Sequence, residues 1–476
     1  MTFTDAAFTN GGAADITNHT KSDLSIAFLD KKSGAGNAIT LGGSDDYIQT
    51  NYSGILGSAD RTIEAWIKTT GVGAAIVSYG KGLNGEQFTF RLVGGKLQVL
   101  VGGGNIKTIA TLNDGTWHHV ACVMNGATNV NEILLYVDGE LQSTTNSSRT
   151  INTTADINAR IGINLTEGND FLGEIDEVRI WDDARTQDEI REHMHLTLAG
   201  TESNLVAYFP FNSTLDGVID FSSGGYTGTF QGDVAKTTST APLGIGTSTH
   251  QTISSTGTYT YSSTVTDIEL DITFGTAPHG EIVVNYIEGT PLGTVPTGNL
   301  PSGYWIVENY GTNTGLNMTM RFDFPDGSVT SSTLADYALH KRGTNEAGAW
   351  TEVSSAASAV NTTAGSNYIE FSSIDGFSMI IPSSSSSPLP VELLFFDAVL
   401  NSDNDVVLTW QTASETNNHG FDIERSVDDL EWENIGFVFG NGTTDEVSDY
   451  EFVDNLDLAG LEDLQSLHLY YRLIAN

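Results

Sequence analysis

The chain has 476 residues, and its 60 acidic against 20 basic side chains give a formal net charge of −40. A chain of this length usually forms about two to four domains. So large a negative charge repels nucleic acids and anionic lipid surfaces, and neither is predicted as a partner. Glycine is frequent (51 residues), proline is sparse (10), and short apolar runs alternate with turn residues. This composition predicts an all-β protein with no segment inserted in a membrane.

The first part of the chain shows little pattern. Residues 1–33 are polar, apart from an apolar patch at residues 24–29. We expect them to be an N-terminal segment or the tail of an upstream module.

Five sequence blocks follow one another between residues 34 and 196. The last, GEIDEVRIWDDAR at 173–185, mixes strand-favouring apolar side chains with charged ones and ends in a turn-like Asp-Asp pair. Behind it, Thr186 and Glu189 have the spacing of a capping box, which predicts a short helix that extends to Met194. The four earlier blocks are predicted to form strands, and they read SDDYI, TIEAWIK, DGTWHHVACV and LLYVDGEL.

In this order the five blocks resemble laminin-G-like domains, which share the concanavalin A-like fold with the pentraxins. The resemblance implies a jelly roll in which SDDYI is the first strand and the helix follows the closing strand. It implies recognition of a glycan or another surface ligand rather than chemistry. Two further blocks, NLVAYFPFN and DFSSGGYTGTF, are similar to segments that flank such domains, so the first domain is predicted to cover residues 34–232.

The rest of the chain is predicted to form two more β-domains. Apolar and polar side chains alternate over Asp267–Phe274 and Met318–Phe324, as in an antiparallel sandwich in which one face of each sheet is buried and the other is exposed to solvent. The predicted boundaries are a β-sandwich without a recognised family at 233–382, a Ser/Pro linker at 383–390 and a last module at 391–476.

The last module contains LPVELLFFDAVL, VVLTWQT, GFDIERS and YYRLIAN, which resemble a fibronectin-type-III-like module. Such modules precede the sorting domain in proteins that Bacteroidetes export through the type IX system. The resemblance therefore implies a bacterial protein that is secreted or held at the cell surface. One strand of the module is missing at Asn476, so we expect a truncated sandwich with an open edge.

The absence of disulfides raises the question of what else joins the ends of the first domain. Cys122, the only cysteine, lies in the apolar run HVACVM and is predicted to be a buried, unreactive thiol. In concanavalin-type sandwiches, an acidic residue of the closing strand often helps to bind a structural calcium ion. Asp176 matches by its place in the motif, and Asp46 could approach from the SDDYI strand. The sequence thus suggests calcium as a possible cofactor, against the alternative that Asp176 is a surface carboxylate paired with Arg179.

Catalysis is not predicted. Glu174 and Asp176 resemble the carboxylates of laminarinase-type hydrolases, but the second Glu which that motif needs is replaced by Arg179. Adjacent strand residues point to opposite faces, so His118 and His119 cannot chelate one ion together.

Other possible site residues have less specific predictions. His193 and His195 are expected to be surface groups near the helix end. The indoles of Trp66, Trp117 and Trp181 are expected to be part of the core. The side chains predicted to line the concave face are those of Tyr79, Phe88 and Arg91.

Three classes of function remain open at this stage. The first is a secreted or cell-surface protein whose laminin-G-like domain binds a glycan or another surface ligand and serves adhesion. The second is a structural subunit of an extracellular fibre, sheath or appendage that assembles with other copies of itself. The third is the accessory region of a larger secreted enzyme.

Overall fold

The computed structural model describes residues 2–4, 35–43, 45–165, 170–213, 217–263, 268–276, 280–289, 291, 296, 303–311, 316–325, 328–329, 331–343, 349–363, 365–384, 391–401, 405–426, 432–444, 446–454 and 469–475. The apolar patch at residues 24–29 lies outside these ranges. Within them the regular secondary structure is almost entirely β-strand, which confirms the predicted fold class. None of the described helices has the length and apolar composition needed to cross a membrane.

The described strands are numbered along the chain, and β1 is Thr2–Thr4. The first sandwich contains the 3-10 helix Val130–Glu132 and the α-helix α1, Gln187–His193. Its strands are β2 Asn37–Gly42, β3 Tyr47–Thr50, β4 Arg61–Thr69, β5 Gly73–Gly80, β6 Gln87–Val93, β7 Lys96–Leu100, β8 Asn105–Thr108, β9 Trp117–Met124, β10 Leu134–Val137, β11 Glu140–Leu141, β12 Thr144–Ser147, β13 Ile157–Ile161, β14 Leu172–Trp181, β15 Leu205–Phe209, β16 Val218–Ile219, β17 Thr227–Gln231 and β18 Ala235–Thr238.

These strands form two antiparallel sheets with the main hydrophobic core between them. The eight-stranded sheet has the order β11-β10-β9-β4-β14-β2-β18, with β15 also paired to β14. The nine-stranded sheet has the order β12-β8-β7-β6-β5-β13-β3-β17-β16. Because β2 precedes the SDDYI block, that block supplies the second strand of the described sandwich and not the first, which corrects the sequence-based assignment.

The closing strand and its helix form where the sequence predicts them. Strand β14 contains the GEIDEVRIW run, and Thr186 is the N-cap of α1. The Thr186 hydroxyl accepts a hydrogen bond from the backbone N–H of Glu189, and the Glu189 carboxylate accepts one from the backbone N–H of Thr186. The capping box thus satisfies donors that the first helical turn would otherwise leave unpaired.

The second sandwich stacks a six-stranded sheet, β19-β22-β23-β29-β25-β26, on a five-stranded sheet, β20-β21-β24-β28-β27. The predicted alternation is confirmed in β21 and β24, where every second side chain is buried. A 3-10 helix spans Leu334–Asp336. The strands are β19 Gly246–Ile253, β20 Gly257–Ser262, β21 Glu269–Phe274, β22 Gly280–Glu288, β23 Gly303–Asn309, β24 Met318–Phe324, β25 Tyr337–Arg342, β26 Thr351–Ser354, β27 Ala359–Thr363, β28 Ser366–Ile374 and β29 Met379–Ser384.

Two residues of the predicted linker lie in the last of these strands. Ser383 and Ser384 end β29 and are buried, while residues 385–390 lie outside the described ranges. The final sheet follows, with the order β1-β30-β31-β32 and with β33 and β34 paired to β31. Its remaining strands are β30 Val391–Leu400, β31 Val406–Ser426, β32 Glu433–Thr444, β33 Ser448–Asp454 and β34 Tyr470–Ala475. The relation of this module to fibronectin type III stays a prediction.

Candidate functional site

The predicted calcium ligand Asp176 is fully buried, in a polar layer on the outer side of the eight-stranded sheet, and the Ser239 side chain hydrogen-bonds to it. A β-bulge between Asp176 and Arg179 interrupts the register with β4, and Glu177 takes a positive φ of 51°. The bulge adds one residue to this side of the strand, so two adjacent carboxyl groups are buried there. Asp176 Oδ1 accepts a hydrogen bond of 2.7 Å from the backbone N–H of Glu177.

Arg179 connects this buried layer to the segment above it. Its guanidinium donates to Glu177 Oε2 at 2.6 Å and to the carbonyl oxygens of His193 at 3.0 Å and Leu196 at 2.5 Å. Glu64 lies 3.6 Å from the same guanidinium and accepts from the Trp181 indole at 3.0 Å. Carbonyl groups at the C-terminal end of α1 are therefore stabilised by a buried cation. The charged residues of this motif thus have a structural role in holding the end of α1, since Arg179 pairs with Glu177 and Glu64 and donates to the His193 carbonyl oxygen.

Burial shifts the pKa values of several groups in this layer. Burial raises the pKa of Asp176 well above its usual value, and the adjacent Glu177 carboxylate raises it further. The pKa of Glu64 is lowered to about 2, because its contacts with His119, Arg179 and Trp181 outweigh the opposing effect of burial. Burial lowers the pKa of His195 to about 4. The prediction that His195 is a surface group is therefore wrong: the imidazole is fully buried beside Trp66, and its Nδ1 lies 2.6 Å from the carbonyl oxygen of Pro242.

The structure does not bring Asp46 and Asp176 together. Asp46 Oδ2 accepts from the N–H of Gly42 at 2.7 Å, and Oδ1 accepts from the N–H of Asp233 at 2.6 Å. Gly42 pairs with Leu172, four residues along β14 from Asp176, which corresponds to about 13 Å of strand. A single calcium ion, with ligands at about 2.3–2.6 Å, cannot bind both carboxylates.

Acidic side chains converge more closely elsewhere. Among the described residues, the one group of three or more His, Cys, Asp or Glu side chains close enough to share a metal ion is Glu269, Asp271 and Asp323 in the second sandwich. Arg321 already pairs with Asp323, and hydroxyl groups of β20 donate to the other two. One of the three carboxylates is therefore paired with a cation, and the other two accept hydrogen bonds within the protein.

The aromatic side chains singled out from the sequence are buried. Trp66, Trp117 and Trp181 are each at most 2% exposed, but they pack outside the eight-stranded sheet rather than between the two sheets. Tyr79 and Phe88 stack on each other inside the main core. They do not line an open face, so this part of the prediction is wrong. Arg91 lies on the same strand as Phe88, but its side chain is on the opposite side and faces outward.

The predictions for His118, His119 and Cys122 agree with the structure. His118 lies beside Asp138 at the strand end, whereas His119 is buried beside Glu64, so the two rings have separate surroundings. Cys122 is a buried free thiol, and burial raises its pKa to about 12. A thiol with so high a pKa is uncharged at neutral pH and a poor nucleophile.

A polar cleft of about 440 Å³ lies at one end of the nine-stranded sheet. Three segments that are distant in sequence meet there: the β5–β6 loop, the N-cap of the first 3-10 helix, and the chain after β12. Backbone hydrogen bonds hold the three together, from Val130 N–H to Arg149 O and from Asn152 N–H to Gly85 O. The lining residues are Asn84, Gly85, Glu86, Asn129, Ser148, Arg149, Thr150 and Asn152.

The floor of the cleft requires a glycine. Gly85 has a φ of +80°, and a Cβ atom there would lie 2.7 Å from the carbonyl oxygen of Thr150. Any other side chain would push the loop away from the wall. Glycine at this position therefore sets the width of the cleft.

The walls of the cleft present amide and guanidinium groups to a ligand. The side chains of Asn84 and Asn152 make no hydrogen bond within the described parts of the chain, and Arg149 Nε is buried there without a hydrogen-bond partner. Asn129 Oδ1 accepts from the Ser148 hydroxyl at 3.0 Å and from the Arg149 N–H at 2.9 Å, which fixes this wall. The cleft thus combines a rigid frame with unsatisfied donors and acceptors.

Sequence reasoning did not find this cleft. Its asparagines lie in ordinary turn-forming contexts, and nothing local distinguishes them from other turn residues. One signal is present in the Gly-rich stretch 102–104, although glycines of this kind are also typical of an ordinary turn. Gly103 and Gly104 pack against Asn84 and Arg149, where a Cβ atom would collide. The sequence feature that corresponds to this site is therefore a pair of glycines, Gly103 and Gly104, packed against a polar loop.

Comparison with known proteins identifies the fold family of the first sandwich. Residues 42–191 match the model of the concanavalin A-like lectin/glucanases superfamily, and this part of the chain is a laminin-G-like, concanavalin A-like domain. The chain has no match among curated protein sequences.

Similar solved structures include proteins from bacteria and animals. A Bacteroides ovatus protein described as carbohydrate binding is 23% identical, with a TM-score of 0.36, and the alignment covers 44% of this chain and 62% of that one. The heptameric SAP-like pentraxin of Limulus polyphemus is 16% identical over 33% of this chain and 81% of its own, with a TM-score of 0.24. Domains LG4-5 of the mouse laminin alpha1 chain are 12% identical over 78% and 87%, with a TM-score of 0.28.

Proposed function

We propose that this chain is a secreted or cell-surface protein whose first sandwich binds a glycan, and that this binding serves adhesion. The observation that supports the proposal is the amide-lined cleft at the end of the nine-stranded sheet, on a domain that matches a family of lectins and glucanases. A secreted location agrees with that family.

The chemistry of the cleft suits a sugar. Each asparagine amide supplies two N–H donors and a carbonyl acceptor, and sugar hydroxyl groups need both kinds of partner. The frame around Asn129 and Gly85 is held by backbone hydrogen bonds, so little conformational entropy is lost when a ligand binds. Glu86 does not point freely into the cleft, because its Oε2 accepts from the Thr154 hydroxyl at 2.8 Å.

A glycan array probed with the full chain, followed by titration of the best glycan, tests the proposal. The variants Asn84→Ala and Asn152→Ala each remove unpaired amide groups, and each should weaken binding roughly two- to tenfold, the cost of one or two hydrogen bonds. Asn317→Ala, an exposed asparagine of the second sandwich, is the matched control and should bind as the unmodified chain does. No binding to any glycan, with or without added calcium, would reject the function.

We also retain calcium as a proposal, for the rim of the first sandwich near Asp46. Asp170 Oδ2 accepts from the N–H of Asp45 at 3.0 Å, and Asp170 Oδ1 is buried without a hydrogen-bond partner among the described residues. An unsatisfied buried carboxylate oxygen suits a hard, oxygen-seeking cation, whose remaining ligands would be backbone carbonyl groups or water. Asp176 does not take part in this proposal, because its carboxyl group is fully buried and lies four residues along β14 from the Leu172 that pairs with Gly42.

A further inference from the structure

The nine-stranded sheet contains no acidic residue in any of its strands. Its strands instead hold four basic residues, which are Arg91, Lys96, Lys107 and Arg160. The eight-stranded sheet of the same sandwich has five acidic residues, and the whole chain has 60. In a chain with a net charge of −40, the strands of this sheet therefore carry a net positive charge.

These cations lie on the outward face of the sheet, which we call the basic face. Phe88, Phe90 and Leu92 point into the core, so Arg91 points away from it. Arg91 pairs across the strands with Gln98, and Gln98 pairs with Lys107. Neighbouring strands are ~4.8 Å apart, so the Cα atoms of the two cations are separated by roughly 10 Å with a glutamine between them.

The cations of the basic face have no carboxylate partner. Within the described residues, no Asp or Glu oxygen lies within 4.0 Å of the charged groups of Arg91, Lys107 or Arg160. Burial lowers the pKa of the Arg91 guanidinium, and no neighbouring anion opposes this shift. A partly desolvated guanidinium without a counterion is electrostatically unsatisfied, and an incoming anion would stabilise it.

Neutral polar groups orient these cations and continue the face towards the cleft. Arg91 Nε donates to Gln98 Oε1 at 2.8 Å, Gln98 Nε2 donates to Asn105 Oδ1 at 3.1 Å, and the Asn105 amide donates to the Ser147 hydroxyl at 3.2 Å. Ser148, the next residue, lines the cleft. The basic face and the cleft therefore form one continuous surface.

A second cation is oriented in the same way on the other side of the face. Arg160 Nε donates to Gln49 Oε1 at 2.8 Å, and its guanidinium lies over the Tyr47 ring. Arg160 pairs with Ser78, and Ser78 pairs with Thr89, whose hydroxyl is buried without a hydrogen-bond partner among the described residues. Ser78 and Thr89 are fully buried, so the exposed part of this side of the face consists of Arg160 and the residues that orient it.

We infer that the basic face binds the charged groups of an anionic glycan, whose neutral hydroxyl groups extend into the amide cleft. This inference rests on the proposed glycan binding and specifies its substrate class as a polysaccharide with carboxylate or sulfate groups. The planar guanidinium of Arg91 can donate two parallel hydrogen bonds to either group. The amides between the cations match a ligand in which charged and uncharged positions alternate. A nucleic acid is a poorer match, since its phosphates follow at ~3.4 Å along each strand.

The decisive experiment titrates the full chain with two matched pairs of polysaccharides at 0.15 M NaCl. One pair is a polyuronate and its carboxyl-reduced form, and the other is a sulfated glucan and the unsulfated glucan. We expect an anionic member to bind at least tenfold more tightly than its neutral partner, and the pair that shows this difference identifies the anion. Equal binding of charged and neutral members would overturn the inference and leave the proposed function standing. Failure of all four to bind, together with an empty glycan array, would reject the function itself.

Variants locate the effect on the basic face. Arg91→Gln and Lys107→Gln should each lower the affinity for the anionic glycan at least threefold without changing the affinity for the neutral one, whereas Arg91→Lys should largely restore it. Lys341→Gln, an exposed lysine of the second sandwich, is the control. Unchanged binding in the folded glutamine variants would overturn the assignment. Tighter binding of a single-stranded oligonucleotide than of either glycan would overturn it in favour of nucleic acid.

Discussion

The guanidinium carbon of Arg191 in α1 lies 3.8 Å from the centroid of the Tyr310 ring in the second sandwich. The same guanidinium donates to Glu281 of the second sandwich at 2.5 Å and to the carbonyl oxygen of Gly139 in the first at 3.0 Å. Beside it, His250 of β19 pairs with Glu192 of α1. The helix that ends the laminin-G-like motif is therefore also the joint between two sandwiches.

Replacing Arg191 should loosen this joint. Arg191→Ala removes a largely buried cation from both Glu281 and the Tyr310 ring, and such losses cost roughly 3 kcal/mol or more. We expect a larger radius of gyration in small-angle X-ray scattering and unfolding of the two sandwiches in separate steps. Arg185→Ala, in the turn before the helix and over Trp181, should leave the radius of gyration unchanged. An unaltered scattering profile for Arg191→Ala would contradict the assignment of the joint.

Arg179 should matter more for stability than any exposed ion pair of the first sandwich. Arg179→Met leaves Glu177 and Glu64 buried without their cation, and losses of this kind cost roughly 3–5 kcal/mol. Lys68→Met breaks a partly exposed pair with Glu174 and should cost about 1 kcal/mol or less. Urea unfolding of both variants measures the difference. Similar costs for the two would show that the buried layer does not stabilise α1.

Acid should destabilise the first sandwich in a window set by His195. Its pKa is about 4 in the folded protein and near 6.5 when unfolded, so the unfolded state takes up the proton first as the pH falls. The contribution of the neutral His195 to the free energy of unfolding is fully present above pH 6.5 and decreases by about 3 kcal/mol as the pH falls towards 4. His195→Gln should flatten the free energy of unfolding against pH in that range.

His118 provides a control of opposite sign. Its contacts with Asp138 and Asp114 raise its pKa, so its stabilising contribution is present at low pH and is lost as the pH rises through the raised value. His118→Gln should therefore lower the stability at acid pH and not at alkaline pH. Urea titrations at pH 7.5, 5.5 and 4.5 separate the two variants. A His195→Gln profile parallel to that of the unmodified chain would show that the imidazole is not held neutral.

Binding of the anionic glycan should pass through a maximum as salt increases. At 0.01 M the Debye length is about 30 Å, so the net charge of −40 repels the ligand. Near 0.15 M it is about 8 Å, and the ligand interacts mainly with the basic face; at 1 M it is about 3 Å, and that attraction is screened as well. Titration at these three NaCl concentrations tests this. A monotonic decrease would mean that the rest of the molecule does not oppose binding.

Removal of calcium should lower the melting temperature of the first sandwich if the rim binds the ion. EDTA should have this effect on the unmodified chain and on Asp176→Asn, because Asp176 is fully buried and lies four residues along β14 from the rim. Asp170→Asn should melt at the same temperature with and without EDTA. Differential scanning calorimetry of the unmodified chain and the two variants measures the melting temperatures with EDTA. Addition of CaCl₂ is the reverse test. If neither EDTA nor CaCl₂ changes the melting temperature of the unmodified chain, the proposed calcium site is wrong.

Local chemistry made much of the first sandwich predictable. The β14 strand and α1 were found because a capping box and a strand-forming run are read within a dozen residues. The burial of Asp176 was not foreseen, since alternation alone assigns a charged residue to the wet face. Here the β-bulge, the residues that follow α1 and the segment around Ser239 turn that face into an interior. The same long-range packing explains why His195 could not be recognised as buried.

The cleft and the basic face escape sequence reasoning for a different reason. Asn84, Asn129 and Asn152 converge only when three loops are brought together by the sheet. Arg91, Lys107 and Arg160 are spread over 70 residues of sequence, and their common face depends on strand register. In the sequence these residues are isolated cations in an acidic chain. Only the pairing of strands shows that they share one surface.

The absence of acidic residues from the nine-stranded sheet also makes the molecule electrically asymmetric. A strongly negative protein with one positive face has a permanent dipole moment, and a dipole turns in the field of a charged surface before contact. Near a polyanionic matrix, such a molecule would be repelled in most orientations and attracted only when its basic face points towards the matrix. The basic face would then both attract the protein to its ligand and orient it, so that the protein is aligned for binding before contact.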